Sequence, residues 1–556
     1  MRLIIREYLS MLRESEELDA LIPDLLLSMD IQPTSKPQRG VRQYGVDLAA
    51  IGIDPDDSIE KLFLFVIKQK DIDRNSWDSG PQSVRQTLNE IFDVYLRIML
   101  DKTQCSLPKK IILCTNGDMK QDVLVNWTNY INEKSVLGQI ELDFWGGDNL
   151  SSLVQKYLLD EFLFPSSVQK HMRKTLAFLD LVEYDLSHFY ELIDEVLFDD
   201  ALKNEKKKIK ALRCLHLCLN LIFHWTNECN NLKHAFHAGE RLILRLWDWI
   251  KQKEHFDDGN IFTEFYKINA TRMKINKKYL QKIMSHCMVR DGLSGYASEE
   301  IEYPLRTFEQ IGIIASIGLD YVFANDSIDL EKENLHLIKE ACIAANALEG
   351  LITNNKSSNV PVFDSHINDI TIALLLLYRT RKHNVMLKWI DKLLLYIVRG
   401  YRLRNRFPLL SDSYDDLIDM ELKNEEIKLE TSTLLPMLLE WSVVLDSRGL
   451  YEWAREEILE FFGEVDLQIW FPDDVTEEYL YLKNALYVSG SMLTSIQLPK
   501  SFEEYKVQIL HEFDHEEKPH SFSFISNYFP IIGVIAFRHL RTPVFPFYWR
   551  QPISLN

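Results

Sequence analysis

No uninterrupted apolar stretch in the sequence reaches the roughly 20 residues that a membrane-spanning helix needs. The best contender, "YFPIIGVIAF", is short and runs into Arg538, His539 and Arg541. The opening "MRLIIREYLSMLRESEELD" turns acidic early and resembles neither a secretory signal nor an acid-poor transit peptide. The expectation is therefore a cytoplasmic protein with no membrane partner. Cysteine is also scarce: seven in 556 residues, odd in number and scattered, which gives no disulfide framework and suits a reducing compartment. Cys214 and Cys218 lie one turn apart, with His216, His224 and Cys229 nearby. The segment has helical apolar periodicity and no C-x-x-C pair, so its thiols are expected to pack as small hydrophobes.

Several catalytic templates are missing as well. The chain has no G-x-x-x-x-G-K-[ST] phosphate loop, no G-x-G-x-x-G after a strand, no H-E-x-x-H and no G-x-S-x-G. Positive charge is in deficit, with a formal net charge of −20. That argues against a broad basic surface coating nucleic acid, because phosphate neutralisation supplies most of such affinity. Local basic runs remain at 203–213, 272–282 and 399–406, and each reads first as the solvated face of a helix. No strict repeat period is present.

What is present divides at about residue 165. Before it, strand and helix signals alternate. A helical opening over 2–28 leads through Pro and Gly turns to a strand in "VDLAAIGI", then to an acidic turn, "DPDDSIE". "KLFLFVIKQKDI" is the most hydrophobic strand, followed by the helix "PQSVRQTLNEIFDVYLRIMLD", the strand "KKIILCTNG", the helix "KQDVLVNWTNYINE", the strand "GQIELDFWGG" and a closing helix from Asp148. The pattern predicts an α/β domain over residues 1–165, with a small mixed sheet flanked by helices. In "FWGGDN", Asp148 is expected to cap that last helix. Residues 166–556 predict a large all-α region of amphipathic helices, with irregular helical repeats as one arrangement and binding or oligomerisation as its usual work. Within it, "LKHAFHAGERL" sets His234 and His237 one turn apart with no third ligand beside them, which reads as an exposed helix.

One constellation in the first region carries chemistry. Asp47 follows a Gly-containing turn, and the next strand ends in Lys68, Gln69 and Lys70. Strand alternation puts Lys68 and Lys70 on one face, and both can meet Asp47 if the two strands pair as an antiparallel hairpin. Carboxylates to hold a cation and a lysine to stabilise developing charge are what metal-assisted phosphodiester hydrolysis requires.

In the order "GVD", "FVIKQK", helix, "IILCTNGD", "IELDFWGGDNLSSLV", this region resembles the PD-(D/E)XK nuclease superfamily, in particular its restriction-endonuclease-like, Mrr-type branch. The resemblance implies an α/β/α core that binds Mg2+ (or Mn2+) and hydrolyses phosphodiester bonds. By position it makes Asp47 a metal-holding aspartate, Lys70 the catalytic lysine, Lys68 a phosphate contact and the Gln69 carbonyl a further metal contact. It also implies an acid from the opening helix, with Glu17 first by distance and Glu7, Glu14 and Glu16 close behind. The sequence departs from the family pattern at Lys68, where the family places Glu, Asp or Gln. That leaves an active site with a migrated acid, a site completed by another group or chain, and a nuclease fold that no longer cuts. The implied function is a DNA endonuclease, with RNA as the weaker substrate, controlled by a helical region that binds a protein partner or self-associates as in phage-defence effectors. The alternative is a non-catalytic interaction subunit.

Overall fold

Phe63, Leu64, Phe65, Val66 and Ile67 form an unbroken apolar run, and every one is buried, as a strand covered on both faces requires. In the computed structural model this run is the middle of a five-stranded sheet of order β1-β2-β3-β4-β5. The structure describes residues 2–544 apart from 36–42, 81–82, 160–164, 182, 199–204, 252–257, 298, 327–334, 424–429, 474, 483–489, 495 and 517–521. Residues 160–164, just before the domain boundary expected after Pro165, and residues 545–556 lie outside the described residues.

The strands are β1 (Gln32–Pro33), β2 (Leu48–Ile53), β3 (Glu60–Lys68), β4 (Lys109–Thr115) and β5 (Ile140–Trp145). β2 and β3 pair antiparallel with Leu48 opposite Phe65, while β3, β4 and β5 run parallel. The expected hairpin and parallel crossover both form. The additional strand, β1, is two residues long and ends in Pro33, a residue tolerated only where no ladder donor is needed, as at a sheet edge.

Helices cover the sheet. They are α1 (Arg2–Met11), α2 (Asp19–Ser28), α3 (Arg74–Asp78), α4 (Val84–Glu90), α5 (Lys102–Ser106), α6 (Gln121–Lys134) and α7 (Gly147–Leu153). Leu62, Leu64, Val66, Ile111 and Leu113 pack on one face against Trp77, Leu88, Val123 and Trp127 from α3, α4 and α6. Truncating a residue such as Leu64 to Ala should cost about 2–5 kcal/mol. The continuous opening helix expected over 2–28 is broken: Arg13 is extended at φ −80 and ψ 149, and the chain restarts as a π-helical turn over Glu14–Leu18 before α2. That break decides which acid reaches the sheet.

The chain forms two compact units, Met1–His234 with Gly259–Phe265, and Ala235–Asp258 with Tyr266–Asn556. In the first, α8 (Ser166–Phe178) and α9 (Ser187–Leu197) follow the α/β fold. Cys214 and Cys218 are buried within the apolar helix Glu205–Glu228. The second unit is helical, and its only strands among the described residues are two short pairs, Thr431–Ser432 with Asp466–Leu467 and Ile469–Phe471 with Ser491–Leu493. Its centre is the helix Glu302–Asp326, buried on all sides from Gln310 to Phe323, as an all-round apolar helix must be. Gly312 and Gly318 let Asp369 and Leu376 of the neighbouring helix approach closer than a Cβ would permit. No helix among the described residues is long and apolar enough to cross a membrane.

Two expectations for surface helices need correction. The helix Leu232–Ile250, expected to be exposed, is buried over most of its length, and His234 Nε2 lies 2.7 Å from the Leu181 carbonyl oxygen. The basic run at 272–282 is not all solvated face: Arg272 is 1% exposed and donates to Asp320 Oδ1 at 2.8 Å.

Candidate active site

The β3 strand stops at Lys68 for a local reason. Lys70 takes a left-handed backbone with φ 70, a conformation that costs a residue with a Cβ about 1–2 kcal/mol. Its neighbours hold it there: the Lys70 N–H donates to Asn116 Oδ1 at 2.8 Å, and its carbonyl accepts from Thr115 Oγ1 at 2.5 Å. Gly117 lies so close to the Lys70 carbonyl that any Cβ would collide with it. The alternation expected to place Lys70 beside Lys68 therefore ends one residue too early. Lys70 is exposed, and Lys68 and Gln69 are half-buried.

Asp47 is placed by a turn in which Tyr44 and Gly45 both have positive φ, 51 and 85. Its N–H donates to the Phe65 carbonyl at 2.9 Å, and its Oδ2 accepts from the Ile67 N–H at 2.7 Å. Burial pushes the Asp47 carboxyl above the usual carboxylate range, while the Ile67 N–H and the Lys68 ammonium pull it down and the Glu14 charge pushes it up. Two carboxylates and one ammonium thus share a field at the end of the sheet. That field also reaches Cys114, whose thiol is raised by burial and by Asp47.

The remaining sequence-derived residues have other partners. Glu17 Oε2 accepts from the Arg13 N–H at 3.0 Å, closing the π-helical turn, and its charge, after burial, raises the Tyr8 hydroxyl. The Gln69 side chain donates to the Leu12 carbonyl at 3.2 Å. Lys68 and Glu14 are both felt electrostatically at Asp47, while Glu17 serves the local turn.

Asn116, 1% exposed, is a polar hub that sequence reasoning missed. Its Nδ2 donates to Leu9 O at 2.9 Å and Leu12 O at 2.8 Å, while its Oδ1 holds Lys70. Arg6 donates to the Asn116 carbonyl at 2.5 Å and to Asp118 at 2.7 Å, and its Nε lies 3.3 Å from Asp148. Asp148 is therefore not the cap of α7; the cap is Gly146, and Asp148 pairs with Arg6 across the loop. The Asn-Gly turn in "CTNGD" was the available signal, since such a pair marks a special backbone.

At the far end of the same strands the acidic turn folds inward. Asp54 is 1% exposed and Lys110 is 2% exposed. Lys61 Nζ lies 2.8 Å from Asp54, 2.6 Å from Asp57 and 2.8 Å from Glu141, and Lys110 Nζ lies 3.0 Å from Asp54 and 2.8 Å from Asp56. Burial pushes Asp54 up, but the two ammoniums outweigh it and hold the carboxyl below its ordinary range.

Among the described residues, three groups of His, Asp and Glu are arranged so that they could hold a divalent metal: Asp54 with Asp57 and Glu141, His237 with Glu240 and His539, and His171 with His188 and Glu191. In the first, the Lys61 ammonium already stands among the carboxylates. In the second, the Arg538 guanidinium pairs with Glu240. The third has imidazole nitrogens facing its carboxylate. The mixed sheet flanked by helices is consistent with a nuclease-like fold. Neither a family model, nor a curated protein, nor a solved structure matches this chain.

Proposed function

We propose that the α/β fold is a divalent-metal-dependent phosphodiester hydrolase acting on DNA at the end of β3. The observation that carries this reading is the partly buried Asp47 carboxylate at the end of β3, whose Oδ2 accepts from the Ile67 N–H at 2.7 Å and which lies in the fields of a like charge, Glu14, and of Lys68. A buried carboxylate in the field of a like charge is costly unless a cation offsets it. The donors suit a hard ion such as Mg2+ or Mn2+, with carboxylate oxygens from Asp47 and Glu14 and the backbone carbonyl of Gln69. Bound there, the ion supplies Lewis-acid polarisation of a phosphate and a more acidic water. Lys70, exposed on a braced kink, meets the phosphate, and Lys68 tempers the Asp47 charge. Glu17 is replaced by Glu14 in this assignment because Glu17 is engaged with the Arg13 N–H. The helical region controls the activity through self-association or a protein partner, as in the phage-defence effectors that the arrangement resembles.

A second reading has its own support. Lys68 occupies the position where the resembled family carries a metal-binding side chain, and one oxygen of Asp47 is already used by the Ile67 N–H. On that reading the fold grips nucleic acid or a partner without cutting it. Incubating the full chain with plasmid and Mn2+ separates the two, with Asp47→Asn and Glu14→Gln alongside. The Asn variant keeps an acceptor for Ile67 and so preserves the fold. Cutting that falls at least about 100-fold in both variants supports the hydrolase. Absence of cutting at every protein concentration, with DNA still bound, establishes the second reading, and labelled RNA in the same assay tests the weaker substrate.

A further inference from the structure

The hairpin of α8 and α9 carries a donor set that neither reading of the sheet uses. His188 and Glu191 stand one turn apart on α9, and His171 faces them from α8. Glu191 Oε2 is 3.1 Å from His171 Nδ1 and 3.7 Å from His188 Nδ1. One ligand atom from each residue falls within 4.8 Å of the others. Ligands at about 2.0–2.1 Å from a tetrahedral zinc ion stand roughly 3.3 Å apart, so small side-chain rotations close the set.

Two further observations point to a cation. Both Nδ1 atoms are buried and have no hydrogen-bond partner; the contacts to Glu191 are close without having hydrogen-bond geometry. Buried polar atoms left this way are uncommon in folded proteins. On the other side of the His171 ring, Nε2 lies 3.4 Å from Glu195 Oε1. A carboxylate on that side is placed to take a proton from Nε2 when Nδ1 binds a metal, the arrangement that orients ligating histidines.

The surroundings are already rigid. Val168 and Met172 of α8 and Phe189 and Leu192 of α9 are buried, and the Phe178 ring stacks on His188 with centroids 5.9 Å apart. The side chains of His171 and His188 are 20% and 22% exposed, and that of Glu191 is 42% exposed, so a fourth position faces water. Two imidazoles and one carboxylate select a zinc-class ion over Mg2+, which prefers an all-oxygen shell.

We propose that His171, His188 and Glu191 bind one zinc-class transition-metal ion that staples α8 to α9. The probe is Co2+ added to metal-stripped full-length protein in excess Mg2+, followed by visible absorption, with Zn2+ displacement as the affinity readout. Wild type gives a tetrahedral Co2+ band that saturates at one equivalent and is abolished by Zn2+. His171→Ala and His188→Ala lose the band, Glu195→Gln binds about 10-fold more weakly, and His336→Ala and Asp47→Asn are unaffected. Far-UV circular dichroism checks that each variant is folded. Should a variant fail to fold, the deciding measurement is protection of His171 and His188 from diethyl pyrocarbonate by Zn2+ in wild type. No band in wild type, a band that survives both histidine variants, or histidines modified equally with and without Zn2+ overturns the assignment.

Discussion

Replacing Lys61 with Met tests whether the acidic turn is a closed internal ion network or a metal site in waiting. Lys61 is 5% exposed and contacts three carboxylates at 2.6 to 2.8 Å. Removing one partner of a buried ion pair costs about 3–5 kcal/mol. Two features reduce that figure here: the Asp57 and Glu141 side chains are 40% and 50% exposed, and Asp54 keeps Lys110 at 3.0 Å. The expectation is about 3 kcal/mol, a urea midpoint lowered by about 1 M for a slope near 3 kcal/mol/M. The orphaned carboxylates should then accept a cation, so Ca2+ should return more of the lost stability in Lys61→Met than it adds to wild type. Urea titrations of both proteins, with and without millimolar Ca2+, supply the four midpoints. A Lys61→Met midpoint within about 0.2 M of wild type refutes the premise that the ammonium holds the turn, and an equal Ca2+ effect in both proteins refutes the substitution of ammonium for metal.

Gly147→Ala should be among the most damaging single-atom additions in the first unit, because its Cβ would overlap the Arg6 guanidinium and crowd the Asn116 carbonyl. A loss of about 1–3 kcal/mol is expected, read as a lowered melting temperature, and the loss should shrink in an Arg6→Ala background. In the second unit, burial pushes His237 from 6.5 down to about 4. The folded state keeps the ring neutral while the unfolded chain protonates it, so this stability is fully present above pH 6.5 and is lost as pH falls toward 4. His237→Gln should flatten that acid limb by on the order of 2 kcal/mol. An unchanged dependence of the urea midpoint between pH 7 and pH 4.5 would contradict it.

The sheet was legible because burial on both faces leaves a plain signature, an apolar run bounded by charge. Leu62 to Ile67 and Ile111 to Cys114 carry it, and Asp47 meets the Phe65 and Ile67 backbone because consecutive strands pair as a hairpin. Which acid of the opening segment is felt at Asp47 was not legible. Glu7, Glu14, Glu16 and Glu17 look equivalent on one continuous helix, and only the extended Arg13 re-aims the chain so that Glu14 is felt at Asp47 while Glu17 turns back on the Arg13 N–H. Local sequence held no proline or glycine at that break. What sets it is tertiary: Asn116, more than 100 residues away, takes the carbonyls of Leu9 and Leu12.

Distant partners are also why "DPDDSIE" reads in the sequence as nothing more than an acidic turn. Lysines are almost never buried unless paired, so such a turn is expected to face water unless ammoniums are delivered to it. Here the first lysine of β3 and the second residue of β4 supply them, the latter from 56 positions away. The sheet thus gathers carboxylates and lysines at both of its ends. At one, the Lys61 and Lys110 ammoniums stand among Asp54, Asp56, Asp57, Glu141 and Asp143. At the other, the Asp47 carboxylate accepts from the Ile67 N–H and lies in the opposed fields of Lys68 and Glu14, and it is there that the proposed hydrolase would draw a divalent ion and a phosphate.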